Sequence, residues 1–266
     1  MQQAHPTNPV RPDSSLDPTV SEVQRLHQEL LRTQAALADF AYTVSHDLRA
    51  RVRHVLAYTQ LAVEDLGPAL SPEVKGHLDT ASEAATQMGL QIDGLMKWAH
   101  LDQVELQPTS LCLHQLVQEV RQSLEPSVLQ RQLHWILPSQ TTQIHADPHM
   151  ARDLLHHLLS NALKFTRTRP LAELHIGWEQ EHAPSAPLCL VSVRDNGVGF
   201  KTAMQDKLFK VFQRLHSPHE FEGVGLGLAL AKKIVERHGG RIWAQGAPDA
   251  GCCVSFTLPL CPQASA

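Results

Sequence analysis

The sequence has few features that would tie the protein to a membrane, a metal cluster or an oxidising compartment. No apolar run approaches the ~20 residues that span a bilayer, and no signal peptide opens the chain. The expectation is a cytoplasmic protein with no membrane insertion. Cysteine is sparse: Cys112, Cys189, Cys252, Cys253 and Cys261 form no CxxC pair and no even framework, as suits a reduced, cytosolic chain. The 17 histidines are scattered, without HExxH or other tight ligand spacing. Basic residues are not in excess, and the net charge of −4 offers no general patch for nucleic acid. There is no glycine loop ending in GK[ST]. The one glycine-rich run opens no βαβ unit with a ribose-binding acid, which argues against a dinucleotide fold.

With 266 residues, 42% of them hydrophobic, the chain fits one large or two modest domains. Pro6, Pro9, Pro12 and Pro18 with polar neighbours predict a disordered arm over residues 1–18. Val23, Leu30, Leu37 and Val44 then recur every seven residues, with Leu26 and Phe40 interleaved, and predict a coiled-coil helix continuing to about Leu66. Gly67-Pro68 ends it, and Ser71-Pro72 starts a second helix with a favourable cap. Val74, Leu78, Ala81, Ala85, Met88, Ile92, Leu95 and Ala99 alternate in steps of four and three along that helix. Two long striped helices joined by a short loop predict an antiparallel hairpin over residues 19–107. One hairpin buries too little alone, so a four-helix bundle with a second copy is expected, the alternative being a monomeric hairpin packed on its own downstream domain.

After Pro108 the pattern becomes mixed α/β, with a domain expected over residues 108–261 and a tail over 262–266. Strands are expected at Leu111–Leu113, Leu133–Ile136, Thr142–His145, Leu171–Trp178, Cys189–Arg194, Gly240–Ala247 and Cys252–Leu258. Helices are expected at His114–Leu124, Pro148–Thr166, Lys201–Val211 and Leu226–His238. The fold class is therefore α+β in two domains: a helical hairpin followed by an α/β sandwich.

Four short motifs carry chemistry. Ser45-His46-Asp47-Leu48-Arg49 lies in mid-helix, where an outward imidazole beside a carboxylate can act as a nucleophile and Arg49 can meet a phosphate. Asn161 and Lys164 lie three apart on one helix face, an amide oxygen for Mg²⁺ and an ammonium for phosphate charge. Asp195-Asn196-Gly197-Val198-Gly199-Phe200 follows an apolar strand, a carboxylate at a sharp turn that can accept from an exocyclic amine. Gly223-Val224-Gly225-Leu226-Gly227-Leu228 opens a helix and presents N–H groups to an anion. Each alone is weak: a solvated helix face, ordinary polar exposure, an Asn-Gly turn, a lone GxGxG.

Their order decides. Together with the final strand ending Ser255-Phe256-Thr257-Leu258-Pro259, they resemble the sensor histidine kinases of two-component systems, from about Leu37 to Pro259. Phe40–Tyr58 looks most like kinases that sit behind phytochrome or other small-molecule sensor modules. The resemblance implies a dimeric hairpin bearing the phosphoacceptor His46, assisted by Asp47, and a Bergerat-type ATP-binding domain. It implies Mg²⁺ on Asn161, phosphate on Lys164, adenine read by Asp195, and a pocket shaped by Gly197 and Gly199. Lys207–Phe212 resembles the family's Phe-rich box, with Phe209 and Phe212. A mobile lid is implied over about 213–224, with Arg214 on phosphate, and Gly223, Gly225 and Gly227 as the second glycine box. Gly251 matches a degraded third box, in which Cys253 replaces the family's further glycine. The implied activity is ATP-dependent autophosphorylation of His46, then transfer to an aspartate of a response regulator, with the signal arriving from a partner or an upstream sensor module.

Three departures stand out. Arg51 replaces a proline that kinks the helix, which suggests a straighter helix and weaker switching. His157 replaces an asparagine four residues before Asn161. Ala50 replaces the Thr or Asn that positions water in phosphatase-competent relatives, so weak phosphatase activity is expected. The alternatives are a catalytically impaired scaffold, and a hydrolysing ATPase of the gyrase or chaperone type. The latter would need a glutamate where His157 stands.

Overall fold

A computed structural model describes residues 18–128, 131–182, 187–217 and 219–261. The expected arm and tail therefore fall outside the described residues, except that Pro18 is already the first residue of a helix. Helix α1 spans Pro18–Leu66 and runs unbroken through Arg51. A short 3-10 turn, Gly67–Ala69, leads to α2, Pro72–His100, whose N-cap Ser71 accepts from the Val74 N–H at 3.3 Å. The two helices pack as an antiparallel hairpin. Arg49 of α1 reaches Asp93 of α2 at 2.5 Å, and Gly89 faces Val52. The hairpin buries Ser45, Val52 and Ala85. Val23, Leu26, Leu30 and Val44 of the expected seam stand exposed in the single chain, while the Leu37 and Phe40 side chains lie outside the described residues.

The second part begins with β1 (Thr109–Cys112) and α3 (Leu113–Leu124), then β2 (Gln132–Ile136), β3 (Gln143–Ala146) and α4 (Pro148–Phe165). Next come β4 (Leu171–His182), β5 (Pro187–Asp195), α5 (Gly227–Arg237), β6 (Ile242–Gly246) and β7 (Cys252–Pro259). Strands β1 and β3 pair antiparallel as a small ribbon. The main sheet has the order β2-β4-β5-β7-β6, parallel only between β2 and β4. Helices α3, α4 and α5 supply Val117, Val120, Leu154, Leu155, Leu159 and Ile234 to one core with Leu174, Val191 and Phe256 of the sheet. Alternation along β5 sends Cys189, Val191 and Val193 inward and carries Asp195 to the core side at the strand's end.

The helix expected over Lys201–Val211 is replaced by a 3-10 turn, Thr202–Lys207, followed by turns. No side chain caps that segment's start, and Leu208 and Phe209 pack against the main core from turns rather than from a helix. Phe212 instead takes a left-handed backbone, φ 62°, and donates its N–H to the Gly225 carbonyl at 2.9 Å.

Candidate functional site

One cleft gathers most of the candidate residues. Asn161, Lys164, Asp195, Gly199, Arg214, Gly223, Gly225 and Gly227 line it, with Phe165, His216 and Phe221 among the further walls. Each arrives for a local reason. Asp147 caps α4 by accepting from His149 and Met150 at 3.0 and 3.1 Å, which fixes the helix start. Burial works to raise the Asp147 pKa, but the N–H groups of Met150, Gln107 and His149 outweigh it and hold the carboxyl below its usual range. Helical spacing then puts Asn161 and Lys164 on the cleft side, one turn apart.

Asp195 forms the buried end. Its Oδ1 accepts from Gly197 at 2.8 Å and from Cys252 at 3.3 Å, and Oδ2 takes no hydrogen bond from a described residue. Burial pushes its pKa up to about 6, against those two N–H groups. Gly199 must be glycine: its φ is +62°, and a Cβ there would overlap the Ala247 carbonyl. Gly197 does not line the cleft but supplies the N–H that orients Asp195. Arg169 braces the turn from behind, donating to the Asn196, Gly197 and Asp249 carbonyls at 2.8, 3.0 and 3.0 Å.

Lys164 and Arg214 form the cationic end. Burial, with Arg214 and Arg167 nearby, lowers the Lys164 pKa, and the Glu222 carboxylate opposes the shift. Glu222 pairs with Arg167 at 2.7 Å, and Arg167 also donates to the Glu220 carbonyl at 2.6 Å. Arg214 donates to the Phe221 carbonyl. Phe165, His216 and Phe221 pack ring on ring at 5.1–5.4 Å, and the His216 Nε2 lies 2.9 Å from the Gly199 carbonyl. Arg214, His216, Phe221 and Glu222 are thus each held by a contact beside the cleft.

Phe209 and Phe212 do not line this cleft. Phe209 packs against the main core and faces a second hollow beside Trp98, and Phe212 is 40% exposed. His216, Phe221 and Phe165 were not singled out from sequence. Only their position around the matched motifs could have raised them. His157 stands one turn before Asn161, and burial holds its pKa down at about 4, so the ring is neutral at pH 7.

His46 lies on α1, exposed, with its Nδ1 3.6 Å from Asp47 Oδ1. Arg49 is engaged with Asp93 rather than free to take a phosphate. The cleft has the chemistry of a nucleotide site. An acceptor sits in an apolar pocket at one end, and two cations sit at the other. The first amides of α5 carry no side-chain cap at Leu226. Among the described residues no group of three His, Cys, Asp or Glu side chains can hold a metal. A Mg²⁺ ion would instead share the amide oxygen of Asn161 with phosphate oxygens, the hard donor set that this ion prefers.

Residues 146–262 match the family of histidine kinase-, DNA gyrase B- and HSP90-like ATPases. Over 249 residues, 90% of the chain, it is 32% identical to Cyanobacterial phytochrome A of Nostoc sp., and covers 30% of that protein. The adaptive-response sensory kinase SasA of a Synechococcus strain is 31% identical over 253 residues, covering 90% of this chain and 64% of its own length. The chain thus spans about a third of the phytochromes it matches. Among solved structures, ShkA in complex with AMPPNP has the same fold, with a TM-score of 0.61 at 22% identity over 85% of this chain and 47% of that one. With a helical N-terminal part, an ATPase-type α/β domain and a sensory-kinase relative along nine-tenths of its length, this chain is a relative of the sensor histidine kinases.

Proposed function

We propose that this chain is a kinase core that transfers the γ-phosphoryl group of ATP to His46 and passes it on to an aspartate of a response regulator's receiver domain. The observation that carries the reading is the polarity of the cleft. Asp195 is the buried carboxylate of the cleft, and Lys164, Arg214 and the uncapped α5 amides form its cationic end, with the Glu222 carboxylate beside Lys164. Asp195 Oδ2 accepts from the adenine amine, while Lys164 and Arg214 take the phosphate charge. Asn161 holds Mg²⁺, which when bound offsets the charge of the triphosphate. The relatives, a sensory kinase and phytochromes among them, are in keeping with such a role.

At the acceptor, Asp47 stabilises positive charge on the His46 ring and favours a proton on Nδ1, which leaves Nε2 as the nucleophile. A bond forms between Nε2 and the γ-phosphorus as the bond from that phosphorus to the β-bridging oxygen breaks, and ADP leaves with the electron pair. The ring's extra proton then departs through Asp47 to water. Most of the rate comes from positioning and charge stabilisation.

The hairpin works as a dimer in this reading. Val44, Leu48, Val55, Leu61, Val74 and Met88 are all exposed in one chain, and a second hairpin would cover them as a four-helix bundle. No described helix is long and apolar enough to cross a membrane. The proposed signal comes from a partner or an attached sensor module.

Calorimetric titration with ATP tests the site. Binding that needs Mg²⁺ and vanishes in Asp195→Ala supports it. Equal affinity with and without Mg²⁺, or no loss in Asp195→Ala, contradicts it.

A further inference from the structure

The nucleotide domain rests on its own chain's α2 through a compact set of contacts. Leu226, a wall of the cleft and the N-cap of α5, packs onto Gly94 so closely that a Cβ at position 94 would overlap its δ1 methyl. One turn further along α2, the Lys233 ammonium lies 3.4 Å from the centre of the Trp98 ring. The same ammonium pairs with Asp102 Oδ2 at 2.7 Å, and the Lys233 side chain is only 9% exposed. Arg237 donates to the Leu101 carbonyl. Lys97 lies close enough to His157 to bear on its charge. A buried ammonium that is both paired and stacked is costly to undock, because either partner's loss leaves a charge without solvent.

The height of this contact is informative. Arg49 is paired with Asp93 across the hairpin, so Gly94 lies level with Leu48. His46 is two residues away, about 3 Å of helix rise. The glycine-rich wall of the cleft therefore touches the hairpin within one turn of the level of His46.

We propose that Gly94, Trp98 and Asp102 form a seat for Leu226 and Lys233 that positions the cleft for phosphoryl transfer to the hairpin, so that these are positioning residues of the reaction. The proposal rests on the nucleotide-site reading above. Glycine at 94 admits the close approach, Trp98 and Asp102 fix the domain's rotation through one ammonium, and the seat acts on transfer rather than on nucleotide binding. Displacing a bound reactant by an ångström costs on the order of a hundred-fold in rate. A side chain at position 94 imposes a shift of that size.

The test uses the whole chain with Gly94→Leu, Lys233→Glu and the charge swap Asp102→Lys/Lys233→Glu. Three quantities are read: ATP–Mg²⁺ affinity, autophosphorylation rate at saturating ATP, and amide hydrogen exchange over residues 98–104 and 226–237. Gly94→Leu and Lys233→Glu should keep the affinity within about two-fold, lose roughly ten- to hundred-fold in rate, and exchange faster in both segments. The swap should recover at least part of the rate. A wild-type or faster rate in both single variants overturns the seat as a positioning device. Unchanged exchange in both overturns the contact itself, and this arm needs no catalysis. A wild-type chain that binds no nucleotide would refute the functional reading, and the exchange arm would still decide whether the seat exists.

Discussion

Arg167, just past the end of α4, holds Glu222 of the segment over the cleft at 2.7 Å, and so places a carboxylate beside the Lys164 ammonium. Burial would raise the Glu222 pKa, but its own N–H, Arg167 and Lys164 hold it below the usual range. The carboxylate therefore stays ionised where phosphate charge is expected, and competes for the same cations.

Glu222→Gln should strengthen ATP binding by about two- to five-fold, the scale of one partly exposed ion pair. Arg167→Ala should instead free the segment, seen as faster amide exchange over residues 219–223. Weaker ATP binding in Glu222→Gln would show that the carboxylate supports the site rather than competing within it.

Asp195 is a site residue that costs stability. The unfolded chain releases its proton near pH 3.8, whereas the fold keeps it to about 6, so stability is lost as pH rises between these values. The deficit at neutral pH is on the order of 3 kcal/mol. Asparagine keeps an oxygen for the Gly197 and Cys252 N–H groups without the charge. Asp195→Asn should therefore raise the thermal midpoint at pH 7 while weakening ATP binding by more than ten-fold, as scanning calorimetry and titration can check. A lower midpoint would contradict the burial argument.

The same group sets a pH dependence of binding. Protonated Asp195 loses an acceptor for the adenine amine, so ATP affinity should fall roughly ten-fold between pH 7 and pH 5. His157 adds an opposite term in stability. The unfolded chain binds its proton below 6.5 and the fold only below about 4, so stability falls as pH drops through that window. In Asp195→Asn, melting should decline more steeply from pH 6.5 to 4 than in wild type. In His157→Asn the decline should flatten or reverse. Parallel curves in all three proteins would refute both assignments.

Arg169 braces the Asp195 turn with three carbonyl acceptors on two loops. Arg169→Ala should destabilise the domain by about 2 kcal/mol, since the half-buried Asn196 and buried Gly197 carbonyls lose a charged donor. It should also weaken ATP binding, with the loss detected as a lower denaturant midpoint at an unchanged slope. An unaltered midpoint would mean that water replaces the guanidinium without cost.

The sequence made the hairpin legible because apolar periods persist over many turns, and a Ser71-Pro72 cap marks the second start. The sheet was legible from alternation, as in Cys189, Val191 and Val193. Asn161, Lys164 and Asp195 were legible as types at a spacing, and the fold brings them to one cleft. Phe209 was not placed, because an aromatic run does not say which face a turn will bury. Lys201–Val211 read as helix by composition, but Leu208 and Phe209 anchor the segment into the core and Phe212 turns it with φ 62°. Gly94 carries no signal of its own in the sequence. Its partner Leu226 is far along the chain, and nothing local announces a contact made through the absence of a side chain. Arg167 and Glu222 were likewise silent, being two surface charges in separate loops until the fold paired them.

Incubating the purified chain with γ-labelled ATP and Mg²⁺ decides whether His46 receives the phosphoryl group. The wild-type chain should acquire acid-labile, alkali-stable label and His46→Gln none, with ATP affinity equal in the two. Label retained by His46→Gln, or a wild-type chain that binds ATP–Mg²⁺ and never acquires label, would contradict that transfer.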